Sequence, residues 1–148
     1  MRVVLITQGL SRVLLPLINS GYDVVGIVES MPRGFVENNK GSFMFRLLKK
    51  IYSFFNKKHQ TLKGFSEERG IKYTYICKGR NKDVEQWVKN IEPDLIVVFS
   101  MSQLLKECIF GLPKYGTINI HPSYLPEYRC ANPDFWQYYN MEMNPGVT

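Results

Sequence analysis

The sequence predicts an α/β fold, a Rossmann-like and mostly parallel sheet with helices on both faces. Three features point there. The short apolar runs Val3 to Thr7 and Leu95 to Phe99 suit strands covered on both sides. Between such runs, apolar residues recur at helical spacing, so strands and helices alternate along the chain. With 148 residues, 45% of them hydrophobic, the chain can bury one core and is too short to expect two.

The first strand, Val3 to Thr7, runs into a Gln8-Gly9 turn. Leu10, Val13, Leu14, Leu17 and Ile18 then follow a helical period, with Gly21 placed to end the helix in a left-handed conformation. Asp23 to Val28 is the second strand and Tyr73 to Cys77 the third. A helix over Asp83 to Ile91 turns Val84, Trp87 and Val88 inward. Pro93-Asp94 precedes the fourth strand, Leu95 to Phe99. Leu104, Leu105, Cys108 and Ile109 indicate a further helix, closed by Gly111 and Pro113. Thr117 to His121 forms the fifth strand. Asn132 as N-cap and Pro133 as first helical residue open a helix through about Met141. Gly146-Val147-Thr148 reads as a strand just beginning, so the domain is expected to be incomplete at its C-terminal side.

Charge is concentrated in one place. The net charge is +6, yet between Met31 and Gly64 stand Arg33, Lys40, Arg46, Lys49, Lys50, Lys57, Lys58 and Lys63 against Glu37 alone. Outside that insertion-like segment, residues 31–64, acids slightly outnumber bases, so the sequence pI of about 9.2 does not by itself indicate nucleic-acid binding. Within the segment, the basic and apolar stretch Phe43 to Lys58 reads as a helix packed on the sheet with a solvated basic face, and His59 as a surface residue. The alternative for that stretch is a helix that lies on a membrane surface or meets an anionic substrate. No apolar run approaches the roughly 20 residues that span a bilayer, and no integral membrane segment is expected. Cys77, Cys108 and Cys130 are odd in number and form no Cys-x-x-Cys pair. They predict free thiols in a reducing, cytoplasmic setting and, with only two histidines, no metal site.

The most informative stretch is Asn119-Ile120-His121-Pro122-Ser123-Tyr124-Leu125-Pro126, followed by Arg129 and Asn132-Pro133. Alternate strand residues share a face, so Asn119 and His121 can converge on one reacting group at the end of an apolar, buried strand. Pro122 ends that strand because it has no N–H to give. Alone, the pair would read as a hydrogen-bonded amide and a strand-end histidine. The stiff loop between two prolines and the fixed charge of Arg129 turn it into a site. In parallel sheets, ligands bind outside the carboxyl ends of the strands, where this pair lies. Thr7 to Ser11 also sits at such an end; if it opens a helix, Gly9 and Ser11 could meet a substrate phosphate through backbone N–H groups.

These residues strongly resemble the formyltransferase catalytic domain shared by methionyl-tRNA formyltransferase, glycinamide ribonucleotide formyltransferase and the nucleotide-sugar N-formyltransferases. The matching string is Asn119-Ile-His121-Pro-Ser-Tyr-Leu-Pro126, continuing through Tyr128-Arg129 to Pro133. Asp94-Leu-Ile-Val-Val-Phe-Ser100 and Gly146-Val-Thr148 extend the likeness over the whole chain, residues 1–148, weakest from Met31 to Gly64. Cys130 departs from the family's usual glycine, and Tyr124 from a common leucine.

The resemblance implies N10-formyltetrahydrofolate as formyl donor and a primary amine as acceptor. It assigns catalysis to Asn119 and His121, and folate binding to Ser102, Gln103, Leu104 and Leu105 together with Ser123, Tyr124, Leu125 and Pro126. An amine adding to a formyl carbon drives negative charge onto the formyl oxygen, which an amide and a protonated imidazole can stabilise. The family's aspartate, which controls the histidine's protonation, follows the Gly-Val-Thr strand and has no counterpart in this sequence. The polypeptide by itself is therefore expected to be poorly active. The stretch Arg129 to Trp136, with Asn132-Pro133 and Phe135-Trp136, resembles the sugar N-formyltransferases more than the tRNA enzymes, which implies an amino sugar on a nucleotide carrier as acceptor. Methionyl-tRNA is the alternative, which the basic segment could serve through phosphate contacts. A nonenzymatic nucleotide- or folate-binding remnant is the reading from another class. Oligomeric state is left open.

Overall fold

The structure, a computed structural model, describes residues 1–35, 61–129, 132–143 and 146–148. Five strands form one sheet: β1 (Arg2–Thr7), β2 (Asp23–Ser30), β3 (Lys72–Ile76), β4 (Leu95–Phe99) and β5 (Thr117–Ile120). Their order is β3-β2-β1-β4-β5 and every neighbouring pair is parallel. The chain starts in the middle, winds outward through β2 and β3, then crosses back to lay β4 and β5 on the other side of β1. This is the doubly wound sheet that the alternation of elements predicts, with its switch point between β1 and β4.

Helices α1 (Leu14–Asn19), α2 (Leu62–Glu68), α3 (Asn81–Ile91), α4 (Glu107–Phe110) and α5 (Pro133–Tyr139) complete the described elements. The strand period of two divides the core into two layers. Val4, Ile6, Val28, Ile76, Ile96 and Val98 meet Val84, Val88 and Ile91 of α3 and Ile109 of α4 on one face. Val3, Leu5, Ile27 and Val97 meet Leu14 of α1 and Leu62 and Phe65 of α2 on the other. Burying each such side chain is worth about 1.5–3 kcal/mol, which is why β1 and β4 tolerate little polarity. Gly26 in β2 lets α3 come close, since a Cβ there would lie 2.6 Å from Cη2 of Trp87.

Several elements differ from expectation. The first helix begins only at Leu14 and Leu10 is about half exposed, because the 8–13 stretch is spent on turns. The helix expected from Leu104 is one turn, Glu107–Phe110; Leu104 is 91% exposed and Cys108 is exposed. Helix α2 was not anticipated. Its signals are Thr61, whose Oγ1 caps the Gly64 N–H at 3.1 Å, and the three-residue spacing of Leu62 and Phe65. The fifth strand is not a buried one: β5 lies at the edge of the described sheet, with Ile118 half exposed. Gly146–Thr148 is not a regular strand, but Thr148 exchanges two backbone hydrogen bonds with His121, at 2.7 and 2.9 Å. The Phe43 to Lys58 helix and His59 lie outside the described residues. Among the described residues, no helix is long and apolar enough to cross a membrane.

Candidate active site

A cavity of about 900 Å³ opens at the carboxyl ends of β4 and β5, within the range of roughly 300–1,000 Å³ usual for small-molecule sites. Asn119, His121 and Arg129 line it, with Ser102 to Leu105 on the facing side and Gln8, Arg33, Asn132 and Asp134 at its edges. Asn119 is in register with Val98, so it stands on the α3 side of the sheet, and the alternation that places it there carries on to His121.

The loop after β4 is built to hold its shape. Ser100 turns the chain with φ +58°. The Ser102 N–H donates to Ser30 Oγ at 3.0 Å, and the Ser102 hydroxyl donates to Gln8 Oε1 at 2.8 Å. Gln103 Nε2 donates to the carbonyls of Met31 and Ile76, at 3.2 and 3.3 Å, and Arg33 Nε donates to the Ser102 carbonyl at 3.1 Å. Ser102 and Gln103 thus fasten the loop to the ends of β1, β2 and β3. Leu105 packs against the core, while Leu104 is left exposed on the cavity wall.

The loop after β5 is cross-tied as well. The His121 Nε2 lies 2.7 Å from the Tyr128 carbonyl oxygen. A carbonyl only accepts, so this contact assigns a hydrogen to Nε2 and makes Nδ1 the acceptor nitrogen of the neutral ring. The Ser123 hydroxyl donates to the same carbonyl at 3.2 Å. From α5, buried Gln137 donates to the Pro122 carbonyl at 2.9 Å and accepts from the Gly146 N–H at 3.3 Å. The Thr148 hydroxyl accepts from the Leu125 N–H and donates to the Ser123 carbonyl. The Leu125-Pro126 peptide is cis.

The structure does not bring every expected residue together. Ser123 is fully buried with its hydroxyl engaged, and Ser123, Tyr124, Leu125 and Pro126 do not line the cavity. Tyr124 packs instead on Gly146, where any Cβ would collide with its ring. Gly9 and Ser11 are also absent from the cavity wall, and with α1 starting at Leu14 they do not form a helix N-terminus. Sequence reasoning missed Gln8, Arg33 and Asp134 as cavity residues. Asn132-Pro133 gave a hint for Asp134, because a helix start beside Arg129 delivers the next side chain to the same rim. Asn132 itself adopts a left-handed conformation, φ +54°, and its side chain makes no cap bond.

A second cavity of about 870 Å³ adjoins the first through Arg33, Ser102, Gln103 and Leu104. Among the described residues, its walls carry Lys78, Lys82 and Lys106 besides Arg33 and no acidic side chain. Among the described residues, no group of three or more His, Cys, Asp or Glu side chains is placed to hold a metal ion.

Comparison with known proteins gives this geometry a context. Residues 54–148 match the family model described as formyl transferase. The methionyl-tRNA formyltransferase of Caldanaerobacter subterraneus subsp. tengcongensis is 31% identical over 133 residues, 89% of this chain and 38% of that protein. That of Alkaliphilus oremlandii is 45% identical over 69 residues, 47% of this chain and 22% of that protein. The chain thus spans well under half the length of these curated relatives. Among solved structures, phosphoribosylglycinamide formyltransferase from Bacillus halodurans shares the fold, with TM-score 0.66, 17% identity and coverage of 100% of this chain and 70% of that one. A formyltetrahydrofolate deformylase from Pseudomonas syringae pv. tomato gives TM-score 0.64 at 20% identity, covering 94% of this chain and 41% of that one.

Proposed function

We propose, for a chain that belongs to the formyl transferase family, that it serves transfer of a formyl group from N10-formyltetrahydrofolate to a primary amine. The observation that carries this reading is the shared cavity of Asn119 and His121 at the sheet's carboxyl edge. The folate supplies the formyl carbon. Asn119 donates its amide N–H to the formyl oxygen as that oxygen becomes negative. His121, with Nε2–H committed to Tyr128, acts through Nδ1, which donates when the ring is protonated.

The cavity suits a folate. Exposed Leu104 offers an apolar cover for a flat heterocycle, and the cavity volume accommodates one. The adjoining basic cavity suits the anionic glutamyl end, with Lys78, Lys82 and Lys106 in reach of carboxylates. The setting is a reducing, cytoplasmic one, in which the free thiols of Cys77 and Cys108 persist.

The acceptor is an amino sugar on a nucleotide carrier. Beside the cavity, Phe135, Trp136 and Tyr139 of α5 form an exposed aromatic cluster, with ring centroids 5.2–6.1 Å apart. Such a cluster can stack one nucleobase while the sugar enters the cavity. Methionyl-tRNA is the second reading, supported by the names of the curated relatives. Formyl transfer from N10-formyltetrahydrofolate to a panel of nucleotide-linked amino sugars and to methionyl-tRNA decides between them. Turnover with one acceptor class selects it. Absence of both transfer and folate binding overturns the reading.

A further inference from the structure

Among the described residues, the cavity walls carry two guanidinium groups, Arg33 and Arg129, and a single carboxylate, Asp134. The adjoining cavity has none, so among the described residues Asp134 is the one acidic side chain on either wall. Its position is set by α5, where it follows Pro133, the buried first residue of the helix. Gln137, one turn further on, anchors α5 to the Pro122 carbonyl beside His121. The carboxylate is thus held at the same rim as the histidine while remaining exposed.

A primary amine reaches a site at neutral pH largely as an ammonium ion. Two arginines repel it, whereas a carboxylate supplies a charge-assisted hydrogen bond. We propose that Asp134 is the residue that recognises the acceptor's ammonium group, and that it sets the preference for cationic amines over hydroxyl compounds of the same shape. This rests on the formyl-transfer reading for its biological meaning, but the recognition itself can be measured without turnover. The contact is made with the acceptor as it binds, so its loss weakens binding more than it slows the bound complex.

The test uses a nucleoside-diphosphate 4-amino-4-deoxy sugar and the same compound with a hydroxyl in place of the amine. Calorimetric affinities are measured for the wild-type chain and for Asp134→Asn and Asp134→Glu, with thermal melting to check folding. A hydrogen bond to a charged group corresponds to about 10-fold or more in affinity. The wild type and Asp134→Glu should favour the amine by that factor, and Asp134→Asn should bind both compounds about equally. Where turnover is measured, Asp134→Asn should raise KM for the amine about 10-fold with little change in kcat, and folate affinity should not move. Equal binding of the two compounds by the wild type, unchanged discrimination in Asp134→Asn, or no binding of either compound overturns the proposal. If discrimination depends on Asp134 but no formyl group is transferred, the recognition stands and the formyl-transfer reading fails.

Discussion

Strands β4 and β5 lie side by side in the same sheet and in parallel register, yet they do different work. Ile96 of β4 is fully buried and Val97 and Val98 nearly so, and all three feed the core layers. Their neighbours in β5, Thr117, Ile118 and Asn119, are partly or largely exposed. β4 can therefore be read almost entirely as apolar burial, while β5 spends its outer position on groups that face a cavity. A central strand stabilises the frame, and the strand beside it can carry polar chemistry because little of the core depends on it.

The largest expected effect breaks the frame. Ile96→Ala should cost about 2–5 kcal/mol of stability, the usual range for a buried isoleucine truncated to alanine. Ile118→Thr, at a half-exposed position of β5, should stay within about 0.5 kcal/mol. Denaturant titration of the two variants checks the contrast, and similar losses would mean that β5 is as much a core strand as β4.

The next effect should fall on activity. Asn119→Ala removes a donor from an exposed position, so the unfolding midpoint should hardly change. If the formyl-transfer reading is right, kcat should drop by about 10²–10³, the typical effect of deleting one oxyanion donor. Single-turnover assays beside melting curves separate the two quantities. A lowered unfolding midpoint with unchanged kcat would reverse the assignment of roles to the two strands.

The smallest effect sharpens the contrast at the opposite edge. β3 also carries polar groups, but there they are tied up: the Tyr73 hydroxyl donates to the Glu29 carboxylate in β2. Burial first, and then that bond and the charge of Glu29, push the Tyr73 phenol far above its ordinary value near 10. The neutral phenol is favoured in the folded chain, so its contribution is complete below pH 10. Above that pH an unfolded chain ionises while the folded one resists, and stability falls as pH rises. Tyr73→Phe should flatten the alkaline decline in melting temperature, and an unchanged decline would assign it to other groups.

The sequence reveals the frame better than the rim for a physical reason. β1, β4 and α3 announce themselves because burial demands unbroken apolar runs or a regular period. Short elements such as α4 do not, since Leu104 looks like a core residue by type and is in fact almost fully exposed. Strand alternation in the Asn119 to Pro126 string puts Asn119 and His121 on one face, and both line the cavity, but it could not show that Ser123 would turn inward to the Tyr128 carbonyl. Gln8, Arg33 and Asp134 were illegible for another reason. They come from three distant parts of the chain, and only the winding order of the sheet brings them to one rim.

The paired backbone bonds between His121 and Thr148 have a dynamic consequence. Any fluctuation that lifts residues 146–148 also releases the main chain of His121 and, through the Thr148 hydroxyl, the loop at Ser123 and Leu125. The fraction of molecules with an ordered main chain at His121 is then tied to the fraction in which that segment is closed, a local equilibrium distinct from global unfolding. Amide hydrogen exchange at His121 reports this equilibrium directly. A ligand that needs that ordered main chain must draw its molecules from the closed population, and its apparent affinity is reduced by whatever share of the time the segment stands open.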